Sequence, residues 1–195
     1  LFRSLVCASA VGVYGDRGDE ELDEASSAGD GFLAEVGSAW EAAAAPAQAA
    51  GVRVAHMRLG MVLDRDGGAL ERMLTPFKLG LGGRLGAGRQ YMSWIALEDA
   101  VAAFFHVLRD RSLAGPFNLV APESVRNAEF TRVLGSALRR PTFLPVPAWV
   151  LRLALGEMAG PLLLASTRAL PRRLQESGFR FAFPKLGGAL EALVG

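Results

Sequence analysis

The sequence has little of what binds metals, forms disulfides or spans a membrane. Cys7 is its only cysteine, which excludes an intramolecular disulfide and suits a thiol buried on a strand. His56 and His106 are the only histidines and share no metal-ligand spacing, so no metal site is expected. Apolar runs are cut by Arg, Glu, Gly and Pro well short of the roughly 18 residues that span a bilayer, despite a mean hydropathy of +0.25. No secretory signal precedes the first strand, and a cytoplasmic location is expected. The formal net charge of +1 argues against non-specific nucleic-acid binding. Lysine is confined to Lys78 and Lys185, so the basic residues are nearly all Arg, a bias that with the abundant Ala and Gly reflects base composition. Internal repeats and low-complexity linkers are absent as well. Hydrophobic residues make up 51% and charged residues 21%, the balance of a globular chain.

The informative stretch is 5–15, LVCASAVGVYG. Its first half is apolar without alternation, as in a strand covered on both faces of a parallel sheet. It breaks at Gly12 and Gly15, delivering Ser9 and Tyr14 near its carboxyl end, where open α/β sheets bind ligands. This strand begins almost at Leu1, so its neighbours on one side are expected from elsewhere, in the second half of a larger α/β protein.

Asp30 is placed to cap a helix whose Phe32, Val36 and Trp40 form one inward face. Pro46 predicts a break in the Ala-rich tail. Residues 52–59 read as the next strand, parallel to the first across a right-handed βαβ crossover. A helix disturbed by Pro76 covers 70–81. The segment 91–95 is extended, and Asp99 lies in the first turn of a helix with the apolar stripe Leu97, Val101, Phe104, Phe105 and Leu108. A short strand follows at 115–120. In the last third, Asn127 is placed to cap a helix with Phe130, Val133, Leu134, Ala137 and Leu138 inward. Pro171 and Gly178 bracket a small helix, and Phe179, Phe181 and Phe183 alternate as in a strand. The expected division is a Rossmann-like part at 1–121 and a small mixed α/β domain at 122–195. The core is expected from the strands near 4–9 and 53–59 and the first helix.

The Gly-rich run at 80–88 fails the dinucleotide fingerprint, because position 85 is Leu and the run follows a helix rather than a strand. It reads either as a substrate-facing loop with Arg84 and Arg89 ready for an anion, or as a surface turn. Trp94 is either plain core or near a ligand. Asp16, Asp19, Glu20 and Glu21 cluster by the expected cleft, as catalytic carboxylates or as a solvated loop. No Ser-His-Asp or Cys-His arrangement stands out.

The runs ASAVGVYGDRGD (8–19), WEAA (40–43), GGAL (67–70) and LGLGG (79–83), with Trp94-Ile95, resemble an atypical branch of the extended short-chain dehydrogenase/reductase superfamily, the epimerase family. NAEF (127–130), PVP (145–147), GEM (156–158) and LLLAS (162–166) resemble that branch's own carboxyl-terminal domain. The resemblance covers nearly the whole chain. It implies an α/β fold, the carboxyl-terminal part of a Rossmann-like doubly wound parallel sheet, with NADP(H) at the strand ends and the pyrophosphate loop in a preceding half. It places Ser9, Tyr14, Leu59, Gly60 and Val62 on the nicotinamide side and Arg89 and Trp94 by a small-molecule or nucleotide-sugar-like substrate. Superfamily enzymes carry a proton-transferring Tyr and a Lys four residues apart; counting back from Glu41, those positions hold Leu33 and Gly37. The supporting Ser or Thr position holds Ala10, one residue from Ser9, which leaves Ser9 as a weak catalytic candidate. Two functions compete: an NADP(H)-dependent oxidoreductase or sugar-nucleotide epimerase with a rearranged acid, and a nucleotide-binding sensor or scaffold without turnover. A third expectation is that this span alone is inactive.

Overall fold

The computed structural model describes residues 3–195, the side chains at 154 and 155 excepted. The chain runs through β1 (Ser4–Ala10), a 3-10 turn (Val11–Tyr14) and β2 (Glu21–Leu22) to α1 (Phe32–Ala42) and α2 (Ala45–Ala49). Next come β3 (Arg53–Leu59), β4 (Met61–Asp64), α3 (Gly68–Lys78), β5 (Tyr91–Met92), β6 (Trp94–Ala96), α4 (Leu97–Arg109) and β7 (Gly115–Leu119). β8 (Val125–Arg126), α5 (Asn127–Ala137), α6 (Ala148–Leu155), β9 (Arg168–Ala169), α7 (Arg172–Glu176) and α8 (Leu186–Val194) complete it.

The apolar runs of β1 and β3 pair in parallel, Ser4 opposite Arg53 through Ala10 opposite Leu59, with α1 in the crossover. β7 adds to the other side of β3, giving the order β1-β3-β7. Pro116 is tolerated in β7 because that strand lies at the edge. The two faces of β3 part cleanly. Ala55 and Met57 pack with Ala100, Ala103 and Val107 of α4, whereas Arg58 meets Glu41 of α1. Helices therefore cover both faces, as the apolar run of β1 without alternation requires. Cys7 is half-buried, its sulfur 3.3 Å from Nδ1 of the register partner His56.

Pro46 does end the first helix: α1 stops at Ala42 and α2 restarts with the proline in its first turn, where the missing N–H costs nothing. α3 continues through Pro76 to Lys78.

The inward face expected for α1 is overturned. Phe32 is 63% and Trp40 61% exposed, while Ala34 and Gly37 form the buried face. Small residues let α1 lie close on the turn after β1; a Cβ at Gly37 would already sit 3.2 Å from Val13 Cβ. The α4 stripe is mostly reversed in the same way: Leu97, Val101, Phe105 and Leu108 are exposed and Ala100, Ala103 and Val107 lie inside, while Phe104 alone of the expected stripe packs against that core.

The expected caps also differ. Gly31 at φ +96° rather than Asp30 starts α1, and the Asn127 carboxamide accepts from Leu85 N (2.7 Å), pinning the Gly-rich loop instead of capping α5. Residues 179–183 form no strand. Their Phe179 and Phe181 rings pack edge to face, and the buried Asp99 carboxylate accepts the amides of Ala182 and Phe183 (2.7 and 2.9 Å).

The largest apolar cluster joins Leu63, Leu70 and Trp94 to Phe130, Leu134 and Leu190, so the expected 121/122 boundary falls within a shared core. A parallel contact of β2 with β9 ties the carboxyl-terminal segment to the loop after β1. No described helix is long and apolar enough to cross a membrane.

Candidate functional site

At the carboxyl end of β1 the chain turns tightly. Gly15 at φ +66° and the close approach of Gly29 to the Tyr14 carbonyl, which a Cβ would block, fold the following loop back against the turn. A cavity of about 430 Å³ opens here. Gly12, Gly15 and Asp16 form one wall, and Asp30, Phe32 and Leu33 from the start of α1 form the second. Arg152 of α6 and Pro161, Leu164 and Thr167 close the third. The third wall is held in place by hydrogen bonds: Ser166 N donates to Asp16 Oδ1 (3.1 Å), Ser166 Oγ to Gly18 O (2.5 Å) and Thr167 Oγ1 to Gly15 O (3.0 Å).

Behind the turn runs a buried polar network. Ser9 Oγ donates to Glu41 Oε1 (2.8 Å), and Arg58 meets the same carboxylate in bidentate fashion, Nε to Oε1 and Nη2 to Oε2 (2.7 and 2.8 Å). Arg58 Nη1 donates to the Tyr14 hydroxyl (2.9 Å), which in turn donates to Asn118 Oδ1 (2.8 Å) or to Asp23 O (2.9 Å). Asn118 N donates to Glu24 Oε1 (2.9 Å).

Burial opposes the charge on Glu41, but the hydrogen bonds from Arg58 and Ser9 outweigh it and hold the carboxyl below its ordinary range. Burial likewise opposes the charge on Arg58, and Glu41 and Tyr14 reverse it, keeping the guanidinium firmly protonated. Burial pushes the Tyr14 phenol up, ahead of the opposing Arg58 charge, so it stays neutral near pH 7. Burial also raises the Glu24 carboxyl, against the backbone amides that it accepts.

None of the seven residues that the resemblance assigns to cofactor or substrate lines the cavity, whereas Asp16 of the candidate carboxylate cluster does. Ser9 is 3% exposed with its hydroxyl committed to Glu41, and Tyr14 is wholly buried with no face left for a ligand. Leu59 ends β3, Val62 lies in β4, and Gly60 joins the two strands where a Cβ would meet Ser93 O at 2.6 Å. Trp94 is core: it is wholly buried and its Nε1 donates to Glu123 O (2.7 Å). Arg89 is exposed, and its carbonyl accepts from Arg126 (3.1 Å).

The two positions that the resemblance assigns to the superfamily Tyr and Lys differ from each other. Leu33 stands in the cavity wall, whereas Gly37 is packed against Val13. Glu41 and Arg58 escaped the sequence reading. The available signal was Arg58 itself, a charge inside an apolar strand that cannot be buried unpaired.

A parallel sheet with helices on both faces and a cavity at its strand ends is the architecture of a Rossmann-like protein of the extended short-chain dehydrogenase/reductase class. A domain family described as "Domain of unknown function (DUF1731)" matches residues 146–193. An epimerase family protein of Mycobacterium leprae is 48% identical over 96% of this chain and 61% of its own length. The crystal structure of human epimerase family protein SDR39U1 with NADPH superposes with a TM-score of 0.89 at 36% identity, covering 98% of this chain and 65% of that one. The nucleoside-diphosphate sugar epimerase from Corynebacterium glutamicum gives 0.82 at 38% identity, over 99% of this chain and 38% of that one.

This chain belongs to the epimerase family. It spans about three-fifths of the Mycobacterium leprae relative's length, as the coverage of 61% records.

Proposed function

We propose that this chain supplies the nicotinamide side of an NADP(H) site in a protein that binds the dinucleotide without a Tyr–Lys proton-transfer pair. The observation that carries this reading is Leu33 in the cavity wall where superfamily enzymes present the tyrosine hydroxyl. The cavity fits the role. Gly12 and Gly15 leave room for close approach, and Phe32 and Leu33 offer an apolar surface to a flat ring. The segment Leu59, Gly60 and Val62 flanks the same strand ends in this reading. The cofactor contributes a transferable hydride; these residues orient it and keep water from it. The similarity to a protein solved with NADPH supports the choice of dinucleotide.

General acid–base assistance is worth ~10²–10⁴ in rate, and its absence makes a sensor or scaffold the favoured role. The test is NADPH fluorescence titration of the full-length protein, followed by NADPH oxidation over a panel of carbonyl compounds. Saturable binding with negligible turnover is expected. Failure to bind NADPH, or robust turnover, overturns the reading.

A second reading, an oxidoreductase or sugar-nucleotide epimerase with a displaced acid, rests on Asp16 and Asp30, the two carboxylates in the cavity wall. In that case Asp30→Asn or Asp16→Asn abolishes turnover while NADPH still binds.

A further inference from the structure

The polar inventory of the cavity specifies what it can hold besides the dinucleotide. Thr167 Oγ1 is spent on Gly15 O, and Asp16 Oδ1 accepts the amides of Gly18 and Ser166 (3.3 and 3.1 Å). Among the described residues, the side chains of Arg152 and Asp30 line the cavity with no hydrogen bond or ion pair to protein. The remaining side chains of the wall are apolar, Phe32, Leu33, Pro161 and Leu164 chief among them, with glycine backbone between them. A hexose presents a hydroxyl at nearly every carbon, and each one buried without a partner carries its full desolvation cost. A nucleoside diphosphate brings several negative charges into a space that offers one guanidinium and two carboxylates. Like charges at close quarters disfavour that arrangement.

We infer that the second ligand of this site is an apolar-bodied molecule bearing a single carboxylate, held in bidentate fashion by Arg152, and not a nucleotide sugar. A guanidinium fork matches a carboxylate in geometry, and the contact is charge-assisted. Asp30, in the second wall of the cavity, limits the ligand to one anionic group and suits a hydrogen-bond donor on it. The inference deepens the function proposed above and rests on the reading that this cavity adjoins the nicotinamide.

Calorimetric titration tests it on the full-length protein, with and without saturating NADPH. The probes are 4-phenylbutanoate, the neutral 4-phenylbutanamide and UDP-glucose. The carboxylate is expected to bind about tenfold or more tighter than the amide, the scale of one charge-assisted contact, and UDP-glucose to give no saturable heat. Arg152→Gln is expected to erase the preference for the carboxylate, and Arg152→Lys to keep part of it, with thermal unfolding confirming that both variants fold. UDP-glucose binding as tightly as 4-phenylbutanoate, no binding of the carboxylate, or an undiminished preference in Arg152→Gln each overturns the inference. The separate NADPH titration keeps the two readings apart: carboxylate preference without NADPH binding sinks only the cofactor assignment.

Discussion

Glu24 is a buried carboxylate and Glu41 a partly buried one, and the same network treats them oppositely. Glu41 has a bidentate guanidinium partner and is held below the ordinary carboxylate range. Its contribution to stability is complete above the unfolded value of about 4.3 and is lost as pH falls through the folded one. Glu24 is raised by burial, so its contribution is complete below the unfolded value and fades as pH rises through the folded one. Glu41→Gln leaves Arg58 buried without a counter-charge and is expected to cost about 3 kcal/mol near pH 7, the lower end for breaking a buried pair. That cost shrinks as the solution is acidified. The deficit of Glu24→Gln runs the other way, shrinking as pH rises from 4 to 7. Urea unfolding of both variants at the two ends of that range reads the signs directly, and parallel pH slopes would refute the assignment.

At the scale of elements, strand pairing was legible and helix orientation was not. β1 and β3 announce themselves because their apolar runs are bounded by Gly12 and Gly51 and can only be buried on both faces. The α1 and α4 stripes misled because the largest apolar residues of each helix lie opposite the small ones, and close packing onto the sheet selects the small side. Ala34 and Gly37 face inward on α1, as do Ala100 and Ala103 on α4. The expected caps differ because Asn127 spends its carboxamide oxygen on the distant Leu85 amide and Gly31, not Asp30, stands at the start of α1. Of the cavity, its position at the end of β1 and the carboxylate of Asp16 were legible in the sequence. Arg152 lies far along the chain and no local pattern marks it.

The consequence is a contrast between two tryptophans, checked by denaturant unfolding. Trp40→Ala is expected to cost less than about 1 kcal/mol, as for an exposed side chain. Trp94→Ala is expected to cost about 3–5 kcal/mol, from the void and from the unpaired Glu123 carbonyl.

At the scale of the whole molecule, two stretches of exposed apolar surface flank the sheet. Leu97, Val101, Phe105 and Leu108, between 42% and 56% exposed, stripe the outer side of α4 on one face of the sheet, and Phe32 and Trp40 lie on α1 at the other. Between them β1 pairs on one side only among the described residues, with Leu5 37% exposed. A long unpaired edge flanked by apolar faces is a template for further chain. The relatives are correspondingly longer, this chain spanning 61% of the Mycobacterium leprae protein and 65% of the human structure. One substitution then has two expected signs. In the 195-residue chain, Phe105→Ser removes exposed apolar surface, so it lowers binding of a hydrophobic dye and changes stability by no more than about 0.5 kcal/mol. In a longer chain whose added polypeptide seats on that face, the same change is expected to uncover a filled contact and to cost about 1.5–3 kcal/mol, the value of burying a large apolar side chain. Equal small effects at both lengths would mean that the α4 face stays open in the longer protein. A large loss at both would mean that copies of the short chain already cover it among themselves, which dilution followed by light scattering would reveal.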